Sequence, residues 1–325
     1  MNSPRLFFSL LGLALSAGLL AAGAADAPST QVLKWKDGKK AVFILSFDDS
    51  CQSQLNNVVP ELNKRKLTGT FYLVMGGGVH AGRKQDWEAA VKSPYIVEAN
   101  HTFTHKGVKG EKSVEDLDAE LAKNNELLYA LHPERKVPRL LAWGRPGGVP
   151  WEVTEEQELA ELAKNHLLRR PSFFGPPIHY KTADECVAAI DKALAKGDMG
   201  HLDMHGVGGD WLVTPLDWFS AILDKLEANR DTIWSADALS YMEYKAERET
   251  AEVKELERTP ARLRLSLTSK MDPALYDQPL TLTTSVPAGK KSWVVIQGGK
   301  RTTVEARDGV LQFEAVPGAG EITVE

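Results

Sequence analysis

The chain has 325 residues, a formal net charge of −5 and 43% hydrophobic residues. This length can hold one large domain and a smaller second one. The slightly acidic balance, with no dominant basic face, argues against a nucleic-acid partner. The densest basic run, between Lys34 and Lys40, is short and is interpreted as a solvated face.

The N-terminus has the features of a secretory signal peptide. Arg5 precedes an apolar segment, Leu6 to Leu20, and small residues follow it. We therefore expect residues 1–25 to be a signal peptide, cleaved near Ala24 to Ala27. The mature protein is then exported, periplasmic or secreted, without stable membrane insertion. An uncleaved anchor is the alternative, which the shortness of the apolar segment disfavours.

Strands and helices alternate in the hydrophobic pattern from Ala41 to Asn229. The run Ala41 to Phe47 is continuously apolar, which is typical of a strand covered on both faces. The other predicted elements are helices at Gln54 to Lys66, from Ser113 onward, at Thr154 to His166, Thr182 to Lys196 and Leu216 to Asn229, and strands at Phe71 to Met75, Arg139 to Trp143 and His201 to Met204. Capping boxes are predicted at Ser113 with Asp116 and at Thr154 with Gln157. The alternation indicates an α/β barrel or a doubly wound sheet.

A second, smaller unit follows. Residues 30–245 are predicted to form the catalytic domain, and the highly charged segment 246–260 a connector, helical from Lys245 to Arg258. From Ala261 to the end the apolar residues recur with period two between turn residues, which predicts an antiparallel β-sandwich over 261–325. This unit contains no histidine or cysteine, so we assign it no chemistry.

Two cysteines, Cys51 and Cys186, occur in the chain. They could pair in an oxidising compartment, but sequence alone does not bring them together. We expect them to be unpaired, with Cys51 a buried neighbour of the candidate site.

The strongest chemical signal is the pair His101 and His105, which follows an aspartate pair, Asp48 and Asp49. Two histidines four apart can point the same way on a helical turn and chelate one metal ion. Asp49 could supply a third ligand, which leaves a position open for water or substrate, as in catalytic metal sites. Asp48 would remain free for proton transfer. The pattern predicts a metal-assisted hydrolase.

Each of these residues also has a simpler interpretation. The aspartates could cap a helix and form a turn, and the histidines could lie on an exposed helix face. His205, before a glycine-rich stretch, could belong to a flexible loop, and Arg145 could be a surface residue. Their joint occurrence at the ends of predicted strands favours an active site, because barrel enzymes place their chemistry at that edge.

Three segments resemble the motifs of polysaccharide deacetylases, carbohydrate esterase family 4. KAVFILSFDD, Lys40 to Asp49, resembles the first motif, a strand that ends in an aspartate pair. EANHTFTH, Glu98 to His105, is similar to the second motif, and LDMHG, Leu202 to Gly206, to the last. The segment Val59 to Val74 also resembles the stretch after the first motif. The similarity covers roughly residues 35–245.

The resemblance implies a distorted (β/α) barrel with fewer than eight regular repeats. It implies that Asp49, His101 and His105 hold a divalent metal ion, most often Zn²⁺. It further implies that Asp48 is the general base and His205 the general acid.

The sequence departs from the family pattern around the substrate. Ser50 replaces the glycine that ends the first motif, and the third motif is one residue short at Arg145 to Gly148. We keep Arg145 as a catalytic candidate, a backbone N–H near Gly147 as an oxyanion donor, and Trp211 as a wall of the substrate groove. The fourth motif has no clear counterpart.

The predicted function is metal-dependent removal of acetyl groups from a carbohydrate, as an N-deacetylase of a GlcNAc-containing glycan. An O-acetyl esterase on xylan or a related glycan is the close alternative. A non-catalytic carbohydrate-binding protein is an alternative of another class, which the presence of both aspartates and all three histidines disfavours. The oligomeric state is left open.

Overall fold

The structure is a computed structural model that describes residues 30–325. The predicted signal peptide lies outside these residues. Over the described part of the chain, no helix combines the length and apolar character needed to cross a membrane.

A parallel sheet of seven strands forms the larger unit. Its strands are β2 (Ala41–Asp48), β3 (Gly69–Leu73), β4 (Ile96–Asn100), β5 (Leu141–Trp143), β6 (Leu167–Arg169), β7 (Met199–Met204) and β8 (Ile233–Ala236). The order is β6-β5-β4-β3-β2-β7, and β8 also pairs with β2. The sheet curls into a half-barrel, which confirms the predicted distorted (β/α) barrel.

Eight helices accompany the described strands. They are α1 (Val59–Arg65), α2 (Gly78–Gly82), α3 (Lys84–Ala90), α4 (Ser113–Ala130), α5 (Glu155–Lys164), α6 (Ala183–Lys196), α7 (Leu216–Ala228) and α8 (Ala238–Thr250). A short 3₁₀ turn occupies Lys36–Gly38, and a π-helical turn, Gln54–Val58, leads into α1.

The alternation of side chains along each strand separates two cores. On β2, Phe43, Leu45 and Phe47 face outward into a core formed with the surrounding helices. Val42 and Ile44 face inward and pack with α8. Burial of each such side chain stabilises the fold by roughly 1.5–3 kcal/mol. The inner core contains small residues on β4 and β5, and α8 therefore fits inside the curve of the sheet.

One of the two predicted capping boxes is present. Thr154 and Gln157 form it at the start of α5. The box predicted at Ser113 is wrong: Ser113 lies inside α4, and its hydroxyl donates to the Glu152 carbonyl at 2.7 Å. The Ser113 hydroxyl therefore makes a tertiary hydrogen bond and does not cap the helix.

The second unit consists of two antiparallel sheets, which confirms the predicted antiparallel β-domain. The strands are β1 (Thr30–Val32), β9 (Glu252–Arg258), β10 (Leu263–Thr268), β11 (Leu280–Ser285), β12 (Ser292–Gln297), β13 (Lys300–Glu305), β14 (Val310–Ala315) and β15 (Ile322–Val324). The sheets run β1-β11-β14 and β13-β12-β15-β10-β9. Trp293 and Phe313 pack in the core between them.

Two segments differ from their sequence interpretation. The charged stretch Lys245 to Arg258 is not one helix: it completes α8 and then forms edge strand β9, paired with β10. Charged side chains suit an exposed edge strand, and pairing with β10 outweighs their helical propensity. Strand β1, predicted within the catalytic domain, pairs instead with β11 of the sandwich. Cys51 and Cys186 are free and buried in the structure, and burial had been expected for Cys51.

Candidate metal and proton-transfer site

The candidate site lies at the carboxyl ends of the parallel strands, on the inner face of the half-barrel. Phe47 at the end of β2 faces the outer core, so its neighbour Asp48 faces inward, because successive strand residues point to opposite faces. The same alternation sets Met204 of β7 in the outer core and His205 toward the site.

Asp49, His101 and His105 converge, with one potential ligand atom of each within 4.8 Å of the others. Asp49 Oδ1 lies 3.2 Å from His101 Nε2 and 3.1 Å from His105 Nε2. The predicted helical turn is wrong, since residues 101–105 form a loop. The backbone is left-handed at Asp49, Thr102 and His105, and these turns bring the three ligand side chains together.

The donor atoms are arranged as a metal ion requires. Asp49 Oδ1 and His101 Nε2 are buried and have no hydrogen-bond partner among the described residues. His101 Nδ1 lies 2.8 Å from the Gly144 carbonyl, so Nδ1 carries the proton and Nε2 presents its lone pair. One carboxylate and two imidazoles form a donor set that suits Zn²⁺ with an open position. The residues present therefore fit a divalent metal ion.

Trp211 holds the second oxygen of the ligand carboxylate. Its indole Nε1 donates to Asp49 Oδ2 at 2.7 Å. Burial would raise the pKa of Asp49, but the imidazoles of His101 and His105 beside its carboxylate outweigh that effect and hold the pKa well below its ordinary value. The Asp49 carboxylate is therefore ionised and oriented, as a metal ligand must be.

Asp48 is held by an arginine that the sequence analysis missed. Arg170 donates from Nη1 to Asp48 Oδ1 at 2.7 Å and from Nη2 to Oδ2 at 2.6 Å. Its Nη1 also lies 3.4 Å from Asp203 Oδ1, and its guanidinium lies 4.0 Å over the Tyr72 ring. Burial opposes ionisation of Asp48, yet Arg170 holds the pKa of that carboxyl below its usual value. A two-point ion pair of this kind fixes position as well as charge.

Arg145, the predicted catalytic arginine, does not contact Asp48 in this structure. It follows Gly144, which takes the inward position after β5, and its side chain is 53% exposed. Its guanidinium stacks 4.9 Å over Trp151. The sequence did not single out Arg170, because the preceding strand β6 has only three residues and is too short to show a clear pattern. Continuing the strand alternation from Leu168 would have indicated that Arg170 faces inward.

His205 approaches the second carboxylate oxygen of Asp49, whereas His101 and His105 approach the first. Its Nε2 lies 3.5 Å from Asp49 Oδ2, and its ring packs 5.1 Å from that of Phe173. Burial lowers the pKa of His205 against the opposing effect of the Asp48 and Asp49 carboxylates. Its Nδ1 is buried without a partner among residues 30–325.

These residues open into a cavity of about 460 Å³. The cavity is lined by Asp48, Asp49, His105, Arg145, Gly147, Gly148, Arg170, Phe173, Ile178, His205, Trp211 and Leu212. The predicted substrate-contacting residues Gly147 and Trp211 thus lie beside the candidate ligands. The volume is in the range of small-molecule sites.

A comparison with known families finds one whose model matches part of the chain. The model of the family "Polysaccharide deacetylase" matches residues 36–163, which confirms the resemblance drawn from the motifs. No curated protein matches the chain.

Several solved structures are similar. A peptidoglycan deacetylase from Bacillus subtilis is 15% identical with a TM-score of 0.42, over 62% of this chain and 90% of that one. A family 4 carbohydrate esterase from Streptomyces lividans is 19% identical with a TM-score of 0.42, over 60% and 91%. A pseudoenzyme of the same family from Bacillus anthracis is 16% identical with a TM-score of 0.44, over 59% of this chain and only 63% of that one.

Proposed function

We propose that this chain, whose residues 36–163 match the polysaccharide deacetylase family, is a metal-dependent hydrolase that removes acetyl groups from a glycan. N-acetylated sugars are the first substrate class we propose. The observation that carries the proposal is the convergence of Asp49, His101 and His105, with Asp48 and His205 beside them.

Asp49 Oδ1, His101 Nε2 and His105 Nε2 would hold the metal ion. When bound, a divalent ion supplies Lewis acidity and lowers the pKa of coordinated water. The fit of the site supports Zn²⁺, because the donor set is one oxygen and two imidazole nitrogens.

Asp48 is proposed as the general base. Its carboxylate lies 3.8 Å from His101 Nε2 and lines the same cavity as Asp49 and His105. The ion pair with Arg170 keeps it ionised and fixes its orientation. It would accept a proton from the attacking water.

His205 is proposed as the general acid, which donates a proton to the leaving nitrogen or oxygen of the sugar. It borders the same cavity as Asp48 and lies against Phe173. A backbone N–H at Gly147, which also lines this cavity, would stabilise negative charge on the acetyl oxygen.

The test is acetate release from N-acetylated chitooligosaccharides and O-acetylated xylooligosaccharides, measured before and after removal of metal by a chelator. We expect release to stop on chelation and to return on addition of Zn²⁺. Asp48→Asn should lower kcat by about 100- to 10,000-fold, the usual effect of losing a general acid or base. The control is Asp231→Asn, an exposed aspartate outside the cavity.

Two outcomes would contradict this proposal. Full activity after complete metal removal would refute the metal-dependent mechanism, and full activity of Asp48→Asn would refute the role of that residue. Release from the xylooligosaccharides alone would identify an O-acetyl esterase. Tight binding of both oligosaccharides without any release would identify a non-catalytic binding protein.

A further inference from the structure

We infer, on the basis of the proposed function, that the substrate is an acidic glycan, and that a carboxylate near the acetylated sugar binds in a second cavity beside the metal site. This second cavity has a volume of about 570 Å³. It shares Arg145, Arg170 and Phe173 with the cavity that holds the candidate ligands. A glycan bound at the site would therefore extend into it.

The lining of the second cavity is rich in cations. It contains Arg145, Arg169, Arg170 and Lys245, against two carboxylates, Glu155 and Glu158. The apolar side chains of Phe173 and Met242 complete the wall.

Two of the four cations are already neutralised by close partners. Arg169 donates to Glu155 at 2.7 Å and to Glu158 at 3.1 Å. Arg170 is buried in its ion pair with Asp48. Neither guanidinium is therefore free to pair with a carboxylate of the ligand.

Arg145 is available to a ligand. The carboxylate oxygen that it approaches, Glu158 Oε2, is 3.9 Å away and already accepts a hydrogen bond from Trp151 Nε1 at 2.8 Å. Stacking on the Trp151 ring holds the guanidinium at the boundary between the two cavities. A planar, half-exposed guanidinium in this setting presents a two-point site for a carboxylate.

Lys245 of α8 supplies a second cation to the lining of this cavity. Among residues 30–325 its ammonium pairs with Glu249 alone, at 3.2 Å, one turn further along the same helix. Such surface pairs contribute little free energy, and the flexible side chain can exchange this partner for a ligand. Together Arg145 and Lys245 favour a carboxylate over a neutral sugar substituent.

The test compares matched acidic and neutral probes on the metal-loaded full chain. The acidic probe is a tetrasaccharide of alternating N-acetylglucosamine and glucuronate, and the neutral probe is the same tetrasaccharide with its carboxyl groups reduced to alcohols. An acetylated glucuronoxylan oligosaccharide and its reduced form serve as the O-acetyl pair. We expect kcat/KM to be at least tenfold higher for the acidic member, and this ratio to fall with rising salt.

Variants locate the preference in the second cavity. Lys245→Gln should lower the acidic-to-neutral ratio several-fold, and Arg145→Gln about tenfold, chiefly through KM. Lys254→Gln removes a lysine on β9 with a side chain that is 72% exposed, and should leave the ratio unchanged. Thermal unfolding of each variant verifies folding.

Equal kcat/KM for the acidic and neutral probes in the wild type would overturn the inference. So would an equal loss on both probes in Lys245→Gln. If no probe releases acetate, the proposed function fails, and calorimetric binding of the acidic and reduced tetrasaccharides still decides the inference. Binding without preference for the acidic form, or a preference that Lys245→Gln leaves intact, would then refute it.

Discussion

At the scale of single residues, the orientation of the proposed base depends on a glycine. The Arg170 guanidinium that holds Asp48 passes directly beside Gly144. A Cβ at that position would lie 2.9 Å from both Cζ and Nε of Arg170 and 2.9 Å from the Tyr72 ring. These three groups pack tightly in the buried wall of the site. Arg170 can therefore reach Asp48 only because the residue after β5 has no side chain.

We expect Gly144→Ala to displace Arg170 and weaken its two-point contact with Asp48. The kcat for acetate release should fall by at least tenfold, since small displacements of reacting groups carry large rate costs. Bound metal should stay the same, because His101 contacts the backbone carbonyl of Gly144.

The matched control is Gly82→Ala, at the end of α2, where a Cβ would meet nothing within 4 Å. Metal content and kcat are measured for both variants. Wild-type kcat in Gly144→Ala would show that Arg170 does not position the base.

At the scale of elements, one side chain joins the two strand ends that carry the proposed base and acid. Gln54, on the π-helical turn before α1, is completely buried. Its Nε2 donates to the backbone carbonyl of Asp48 at 2.6 Å and to that of His205 at 3.0 Å. The Gln54 side chain therefore fixes the distance between Asp48 and His205, in addition to the pairing of β2 with β7.

Gln54→Leu keeps the approximate volume and leaves both carbonyls without this donor. The free energy of unfolding should fall by about 1–3 kcal/mol, the usual cost of unpaired buried polar groups. The kcat should fall more than KM rises, because the change separates the base from the acid without removing a substrate contact.

Denaturant unfolding and steady-state kinetics measure the two effects. Gln52→Leu, at an exposed position two residues earlier, is the control. A loss of stability with an unchanged kcat in Gln54→Leu would limit Gln54 to a structural role.

At the scale of the whole molecule, α8 belongs to both hydrophobic cores. Tyr241 packs in the inner core of the half-barrel, and Tyr244 packs in the core of the sandwich. The Tyr244 hydroxyl also donates to the Leu33 carbonyl at 2.9 Å, just after β1. The sandwich is thus attached to the barrel through a helix that also lines the second cavity.

The sequence predicts features that depend on neighbouring residues. It does not predict contacts between segments that are far apart in the chain. The run from Ala41 to Asp48 predicts its strand, and the residues around His101 predict the ligand group, because each pattern lies within a few positions. Arg170 becomes significant only when the sheet curls and brings it to Asp48. Likewise, β1 becomes part of the sandwich only by pairing with β11, which no local pattern in residues 30–32 reveals.

The contact between α8 and the sandwich also contains buried acids. Burial raises the pKa of Glu243 to about 9, and the carboxylates of Asp237, Asp277 and Glu247 act in the same direction. Burial likewise raises the pKa of Glu247 to about 7. Asp277 and the Gln278 backbone, which contacts Glu247, belong to the loop between β10 and β11. Glu243 is therefore protonated in the folded protein at neutral pH.

A raised pKa in the folded state makes stability fall as pH rises. The pKa of Glu243 has its ordinary value of 4.5 in the unfolded chain and is about 9 in the folded protein, so the folded form binds more protons throughout that window. Its contribution is fully present below pH 4.5 and is lost as pH rises toward 9. Glu243→Gln keeps the shape without the charge. It should raise the free energy of unfolding at pH 8 by about 2–5 kcal/mol, at roughly 1.4 kcal/mol or less per pH unit above 4.5, and flatten its decline between pH 5 and 9.

Denaturant unfolding across this pH range, on the wild type and on Glu243→Gln, measures the effect. Glu249→Gln, an exposed residue of the same helix, is the control and should keep the wild-type slope. The slope is the decisive quantity, because a general change in packing would shift stability equally at every pH. Parallel curves for the wild type and Glu243→Gln would show that Glu243 does not bind a proton on folding, and the contact between α8 and the sandwich would then be insensitive to this carboxyl.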